Sequence, residues 1–244
     1  MPLNIPGLLA PFQLIWNPRI ILPHVIVTDI RQLDFLALRR AGYRGAVCDK
    51  DNCLTIPYKD TLVPQLVDAW KECREVFGEG NVLIVSNSAG TKHDAGQIQA
   101  ESVSYHLSVP VLRHNSPKPA YSCIKSIRGY FSTLRDPIKD EELVIVGDRV
   151  FTDVVMANRM RRRLVHGPAG TDSELERCGP LAVWTTGVWQ RESMMVRWLE
   201  KRVVDKVMRW TDRRSDFQDA FAKPITPQSR TSILSTVMSF VRRR

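Results

Sequence analysis

Short apolar runs that alternate with stretches of helical spacing constrain this chain more than any other feature. The runs fall at about Tyr43 to Asp49, Val82 to Val85, Val109 to Leu112 and Leu143 to Val146. Between and before them, helices are expected near Arg31 to Ala41, ended by Gly42, and near Val63 to Phe77, with Leu66, Val67, Trp70 and Val76 inward. Two more are expected near Asp94 to Ser104 and Ala120 to Leu134. Strands that are apolar along their whole length are buried on both faces, so the alternation predicts an α/β sandwich whose mainly parallel sheet lies between helical layers. Open sheets of this kind bind ligands beyond the carboxyl ends of their strands. The residues that follow each run are therefore the candidates for chemistry.

Asp49 and Asp51 follow the first run, and Ser86-Asn87-Ser88 the second. His114-Asn115-Ser116-Pro117-Lys118-Pro119 follows the third, and the fourth leads into Gly147-Asp148 and, five residues on, Asp153. In an extended chain residues i and i+2 point the same way, so Asp49 and Asp51 would face one site, where their repulsion calls for a divalent cation. Each element alone has an ordinary explanation: D-x-D occurs in turns, a serine after a strand caps a helix, and Lys-Pro opens one. Together they form the set that phosphoryl transfer needs. A phosphate monoester dianion repels an anionic nucleophile, and Mg²⁺ with a lysine removes that repulsion.

Composition narrows the setting. Of 244 residues 43% are apolar and 25% charged, enough for one sizeable core and unlike a disordered or membrane-spanning chain. Five scattered cysteines, Cys48, Cys53, Cys73, Cys123 and Cys178, argue for a reducing compartment and against a disulfide frame or structural zinc. A cysteine phosphatase would need an arginine six residues after its thiol, and the residues there are Leu54 and Lys59, so Cys48 and Cys53 read as small buried hydrophobes.

The two ends differ from the middle. Residues 1 to 28 contain no acid, and prolines at 2, 6, 11, 18 and 23 rule out a continuous spanning helix. This arm either packs on the domain or lies on a membrane. Residues 191 to 244 hold thirteen bases against six acids, and so carry most of the net charge of +9. Met195, Trp198, Leu199, Val203, Val207 and Trp210 recur at helical spacing there, and Ile233, Leu234, Val237, Met238 and Val241 repeat the pattern before Arg242-Arg243-Arg244. Such basic amphipathic stretches suit an anionic membrane surface, a neighbouring subunit or the protein's own core.

The segments DKDNCLT, SNS, HNSPKPA and GDRVFTDVVMANR resemble, in the same order, the four motifs of the haloacid dehalogenase superfamily. Their wording is similar to subfamily IIIA and to the fungal-type mitochondrial phosphatidylglycerophosphate phosphatases. The resemblance implies a haloacid-dehalogenase-like Rossmannoid fold, with Asp49 as nucleophile and Asp51 as general acid. Ser86 and Asn87 would bind the phosphate, and Lys118 would neutralise its oxygens and orient Asp49. Mg²⁺ would sit on Asp49, the main chain of Asp51 and Asp148, with Asp153 in support. The implied reaction turns phosphatidylglycerophosphate into phosphatidylglycerol and phosphate on the route to cardiolipin. It would occur on the matrix side of the mitochondrial inner membrane, with an anionic phospholipid surface as partner and no nucleic acid.

Only 34 residues separate Asp51 from Ser86 and 31 separate Ser86 from Lys118, which leaves no room for a cap domain. An open site suits a large or surface-bound substrate. Arg149 and the run Arg159, Arg161, Arg162 and Arg163 could meet lipid phosphates, or form the solvated end of a helix. Lys50, between the two acids, and Cys53 depart from the commoner pattern, and Lys50 is expected to point away from both acids, as a surface charge or as a base that steers an anionic head group. The expected division is an apolar arm with lead-in helix over 1–42, a phosphatase domain over 43–180 and a basic segment over 181–244. That last segment leaves a homo-oligomer open. A phosphatase of polynucleotide ends or phosphoproteins, or a silent membrane scaffold, are the rival functions.

Overall fold

The computed structural model describes residues 17–161, 179–211 and 216–223. In chain order it contains β1 (Val25–Val27), α1 (Phe35–Arg40), β2 (Gly45–Cys48), α2 (Val67–Phe77), β3 (Val82–Ile84) and α3 (Ile98–Leu107). There follow α4 (Tyr121–Ser132), β4 (Leu143–Gly147), α5 (Val155–Met160), β5 (Leu181–Thr185), α6 (Met194–Thr211) and α7 (Asp216–Phe221). Five strands form one parallel sheet in the order β1-β5-β4-β2-β3. The α/β sandwich with a parallel sheet is thus as the alternation predicts.

Strand pleating divides the core in two. Ala46, Cys48, Val144 and Val146 face one cluster with Leu38 of α1, Trp70 of α2 and Val103 of α3. Val47 and Ile145 face the other, with Ile127 and Phe131 of α4, Met156 of α5 and Val204 of α6. Because β2 and β4 are central and neighbours, with Cys48 level with Val146, their carboxyl ends open side by side at one edge of the core. The four described cysteines are buried free thiols, and burial pushes that of Cys123 up to about 11. Cys178 lies outside the described residues.

Several expectations change. Val109 to Leu112 makes only a bridge, Val111 to Ile84, in place of a strand. Pro110 at its centre has no N–H to extend a ladder. The sheet instead gains β1 and β5, so the 43–180 boundary leaves two of the five strands outside. The helix expected from Arg31 breaks into a 3-10 turn, Ile30–Gln32, and α1, whose first turn is capped by Asp34 accepting from Ala37 N at 2.9 Å. In α2, Val67 faces outward and Cys73 and Phe77 join Trp70 in the core. The described part of the N-terminal arm packs inward: Ile20 and Ile21 are buried, and Asn158 Nδ2 donates to the carbonyls of Ile20 and Leu22 at 2.8 and 3.0 Å. Residues 1–16, Arg162, Arg163 and the second basic repeat from Ile233 to Arg244 lie outside the described residues. Among the described residues no helix is long and apolar enough to cross a membrane.

Candidate active site

The site begins where β2 stops. Asp49 N still donates to Val146 O at 2.9 Å, one step beyond the strand, so the Asp49 side chain is fixed by the sheet itself. The chain then turns tightly: Leu54 N and Thr55 N both donate to Lys50 O, at 3.0 and 2.9 Å, around Asn52 at φ 59°. Asparagine tolerates that left-handed conformation better than most residues. The turn returns Asp51 to the cavity and drives Lys50 into the protein, which overturns the expectation of a surface charge. Lys50 is 0% exposed, with Nζ 2.7 Å from Asp51 Oδ1 and donating to Lys59 O at 3.1 Å. A buried ammonium needs such partners, because stripping its water is otherwise prohibitive.

Asp51 is held on its other oxygen too, by Ser88 Oγ at 3.0 Å. The loop after β3 therefore supplies Ser88 to the cavity, while Ser86 is fully buried with its hydroxyl 2.9 Å from that of Ser88. Asn87 Oδ1 accepts from Lys118 N at 2.7 Å and pins the start of the lysine loop. His114 ties the same two loops, its ring nitrogens 2.9 Å from Ser86 O and 2.7 Å from Ser116 O.

At the centre, Lys118 Nζ donates to Asp49 Oδ1 at 2.5 Å and to Asp153 Oδ1 at 2.6 Å. Asp153 comes from a single π turn, Val150–Val154, that follows β4 and brings it back beside Asp148. Gly147 permits this return, since a Cβ there would lie 2.2 Å from Asp153 Cγ. Carboxylate oxygens of Asp49, Asp148 and Asp153 all lie within 4.8 Å of one another, and all three residues are buried. Burial raises the pKa of Asp49 against the pull of Lys118, with Asp153 adding to the rise. Burial, then Asp49 and Asp153, push Asp148 well above the usual range. For Lys118 burial opposes the charge, but Asp153 and Asp49 outweigh it and the ammonium is stabilised. Three acids packed this tightly against one lysine are an all-oxygen donor set of the kind that hard divalent cations take, and such a cation would favour the ionised carboxylates.

Two arginines adjoin the acids. Arg149 Nε lies 3.7 Å from Asp148 Oδ2, and Arg197, from α6, donates to the same oxygen. Behind them Glu200 is buried, accepting from Phe151 N at 3.1 Å, and burial raises its pKa to about 7. A cavity of about 790 Å³ opens over this group, lined by Asp49, Asp51, Asn87, Lys118 and Asp148, with Tyr58, Lys92, Glu192 and Ser193 further out. Of the expected residues, Asp153 lies beneath the cavity and reaches it through Lys118, and Ser86 is screened by Ser88. Sequence reasoning missed Ser88, Lys50 and Arg197. The SNS repeat was the available signal for Ser88, and neither of the others had one.

A parallel α/β sheet with an acid pair after one central strand, an acid pair after the next and a shared lysine defines a Rossmann-like protein of the haloacid dehalogenase type. A family model described as mitochondrial PGP phosphatase matches residues 5–169, and the chain belongs to that family. A probable mitochondrial phosphatidylglycerophosphatase of Schizosaccharomyces pombe is 31% identical over 217 residues, 83% of this chain and 94% of the relative. The mitochondrial phosphatidylglycerophosphatase of Saccharomyces cerevisiae is 34% identical over 158 residues, 65% of this chain and 83% of the relative. A chloroplastic/mitochondrial phosphatidylglycerophosphate phosphatase of Arabidopsis thaliana is 37% identical over 159 residues, 64% of this chain but only 44% of that longer protein. No solved structure matches.

Proposed function

We propose that the chain is a Mg²⁺-dependent phosphatase that hydrolyses phosphatidylglycerophosphate to phosphatidylglycerol and phosphate, on the route to cardiolipin. The observation that carries the reading is Lys118 Nζ between Asp49 and Asp153, with Asp148 alongside, at the floor of one open cavity. Family membership supports the substrate. Mitochondrial relatives support a place in the mitochondrion, and we extend this to a peripheral position on the matrix side of the inner membrane.

In this reading Asp49 attacks phosphorus while Asp51 gives a proton to the leaving glycerol oxygen, and the phosphoryl group passes to the Asp49 carboxylate. Asp51, now a base, takes a proton from a water whose oxygen attacks phosphorus, and phosphate leaves with Asp49 restored. Lys118 keeps Asp49 anionic and neutralises the phosphoryl oxygens. Ser88 and Lys50 hold the two oxygens of Asp51 in place for both proton transfers. Ser86 and Asn87 shape the phosphate loop from below. Asp49, Asp148 and the Asp51 carbonyl, backed by Asp153, would hold Mg²⁺, which when bound withdraws charge from the phosphoryl oxygens. The segment between Asp51 and Ser86 goes into a turn, α2 and β3, so the substrate's own surface must exclude water.

Phosphate release from phosphatidylglycerophosphate, a 3′-phosphorylated oligonucleotide and a phosphopeptide, each with Mg²⁺ or EDTA, tests the proposal. Metal-dependent release from the lipid, absent in Asp49→Asn, is expected. Release from the oligonucleotide or peptide alone would overturn it.

A further inference from the structure

Helix α6 is built the wrong way round for a helix in water. Met194, Met195, Val196, Trp198 and Leu199 are all exposed, Met195 at 86% and Trp198 at 61%, whereas the one charged residue among positions 194–199, Arg197, turns inward to Asp148. The inner side of the helix is finished by buried Glu200 and Val204. This corrects the expectation from helical spacing, in which Met195, Trp198, Leu199 and Trp210 share a stripe with Val203 and Val207. Only the last two pack against the core.

We propose that the outward face of α6 is a docking surface for an anionic lipid bilayer, and that it sets the bilayer at the rim of the cavity. The inference rests on the lipid-phosphatase reading above and names the element that presents the substrate. Between residues 194 and 210 every exposed side chain is apolar or basic: the bases are Lys201, Arg202, Lys206 and Arg209. The acids of this stretch, Glu200 and Asp205, are buried and half-buried. Apolar side chains with flanking bases and no acid are complementary to acyl chains beneath anionic headgroups. Arg202 stands 5.2 Å over the Trp198 ring, a pair whose polar and apolar parts suit the headgroup boundary. The same charge argues against a second copy, because a self-complementary contact would set these bases against one another.

Position completes the case. Glu192 and Ser193 line the cavity and run straight into the first turn of α6. Tyr58, 64% exposed, lines the same cavity as Glu192. A bilayer on this face would bring lipid phosphates to the mouth of the site.

Sedimentation of the full chain with phosphatidylcholine vesicles, with and without phosphatidylglycerol, tests this. The combined variant Met195→Ser, Trp198→Ser and Leu199→Ser should lose about tenfold in vesicle binding. Its hydrolysis of a soluble aryl phosphate and its oligomeric mass should not change. Quenching of tryptophan fluorescence by brominated lipid should fall in Trp198→Phe and largely disappear when Trp210, exposed on the same helix, is replaced by Phe as well. Wild-type vesicle binding by the triple variant would overturn the proposal. So would binding that is lost only when residues 224–244 are deleted, or a changed oligomeric mass with vesicle binding intact. If the wild type cleaves detergent-dispersed phosphatidylglycerophosphate while the triple variant still binds vesicles normally, docking alone fails. If it cleaves the aryl phosphate but never the lipid, the substrate reading fails.

Discussion

The carboxylate–lysine site and the outward face of α6 break the usual rule of burial in opposite senses. One hides Lys50, Lys118, Asp148 and Asp153 from water, and the other gives Met195 and Trp198 to it. Buried charge is expensive unless paired, and a cluster of exposed apolar side chains is rare without a partner. Each departure therefore marks a place where something else completes the structure: phosphate and cation inside, and on our proposal lipid outside. The two meet at Arg197, which leaves the apolar face to reach Asp148.

Removing the central cation should break the inner site most severely. Lys118→Met strands Asp49 and Asp153, so turnover should fall about 10³-fold. Folding stability should drop by about 3–5 kcal/mol, the cost of breaking a buried pair, checked by urea titration. Asp148→Asn should abolish the stabilisation that Mg²⁺ gives the wild type, about 2.7 kcal/mol at a hundredfold excess over Kd, read as a thermal shift without any substrate. An equal Mg²⁺ shift in both proteins would remove Asp148 from the cation site.

Lys50→Met sharpens the comparison, because it keeps bulk and deletes charge. If Lys50 positions Asp51, kcat should fall about tenfold on the lipid, whose alkoxide leaves poorly, and less on an aryl phosphate that needs little protonation. Equal losses on both substrates would mean a general structural role. Glu200→Gln should disturb turnover least, and its effect on stability depends on pH. Because the folded pKa is raised from 4.5 to about 7, the folded state binds more protons than the unfolded state between these values, so stability falls as pH rises through that window. The variant escapes this fall and should gain on the wild type from about pH 5 to about pH 8, by at most about 3 kcal/mol. Thermal midpoints at both pH values check it.

The chemistry was more legible than the edges. Asp49 and Asp148 follow directly from the ends of β2 and β4, because parallel strands deliver their last residues to one side, whereas Lys118 follows a run that makes only a bridge and is placed by Asn87. Direction after a strand is another matter. A single turn around Asn52 at φ 59° decides that Lys50 goes in, and spacing cannot see it. β1 is only Val25–Val27, hidden in a proline-rich arm, and β5 was masked by its place before the basic tail. On α6, a wheel that counts apolar residues as inward cannot tell a core stripe from a surface one. Only the tertiary position of Arg197 and Glu200 fixes which side is which.

The central claim is that Asp49 carries the phosphoryl group. Phosphatidylglycerophosphate labelled in its terminal phosphate, mixed with excess enzyme and Mg²⁺ and quenched in acid, reads this directly. The account predicts a protein-bound, hydroxylamine-sensitive label that accumulates in Asp51→Asn and is missing in Asp49→Asn. Lipid hydrolysis without any bound label, or a label that persists in Asp49→Asn, would contradict it.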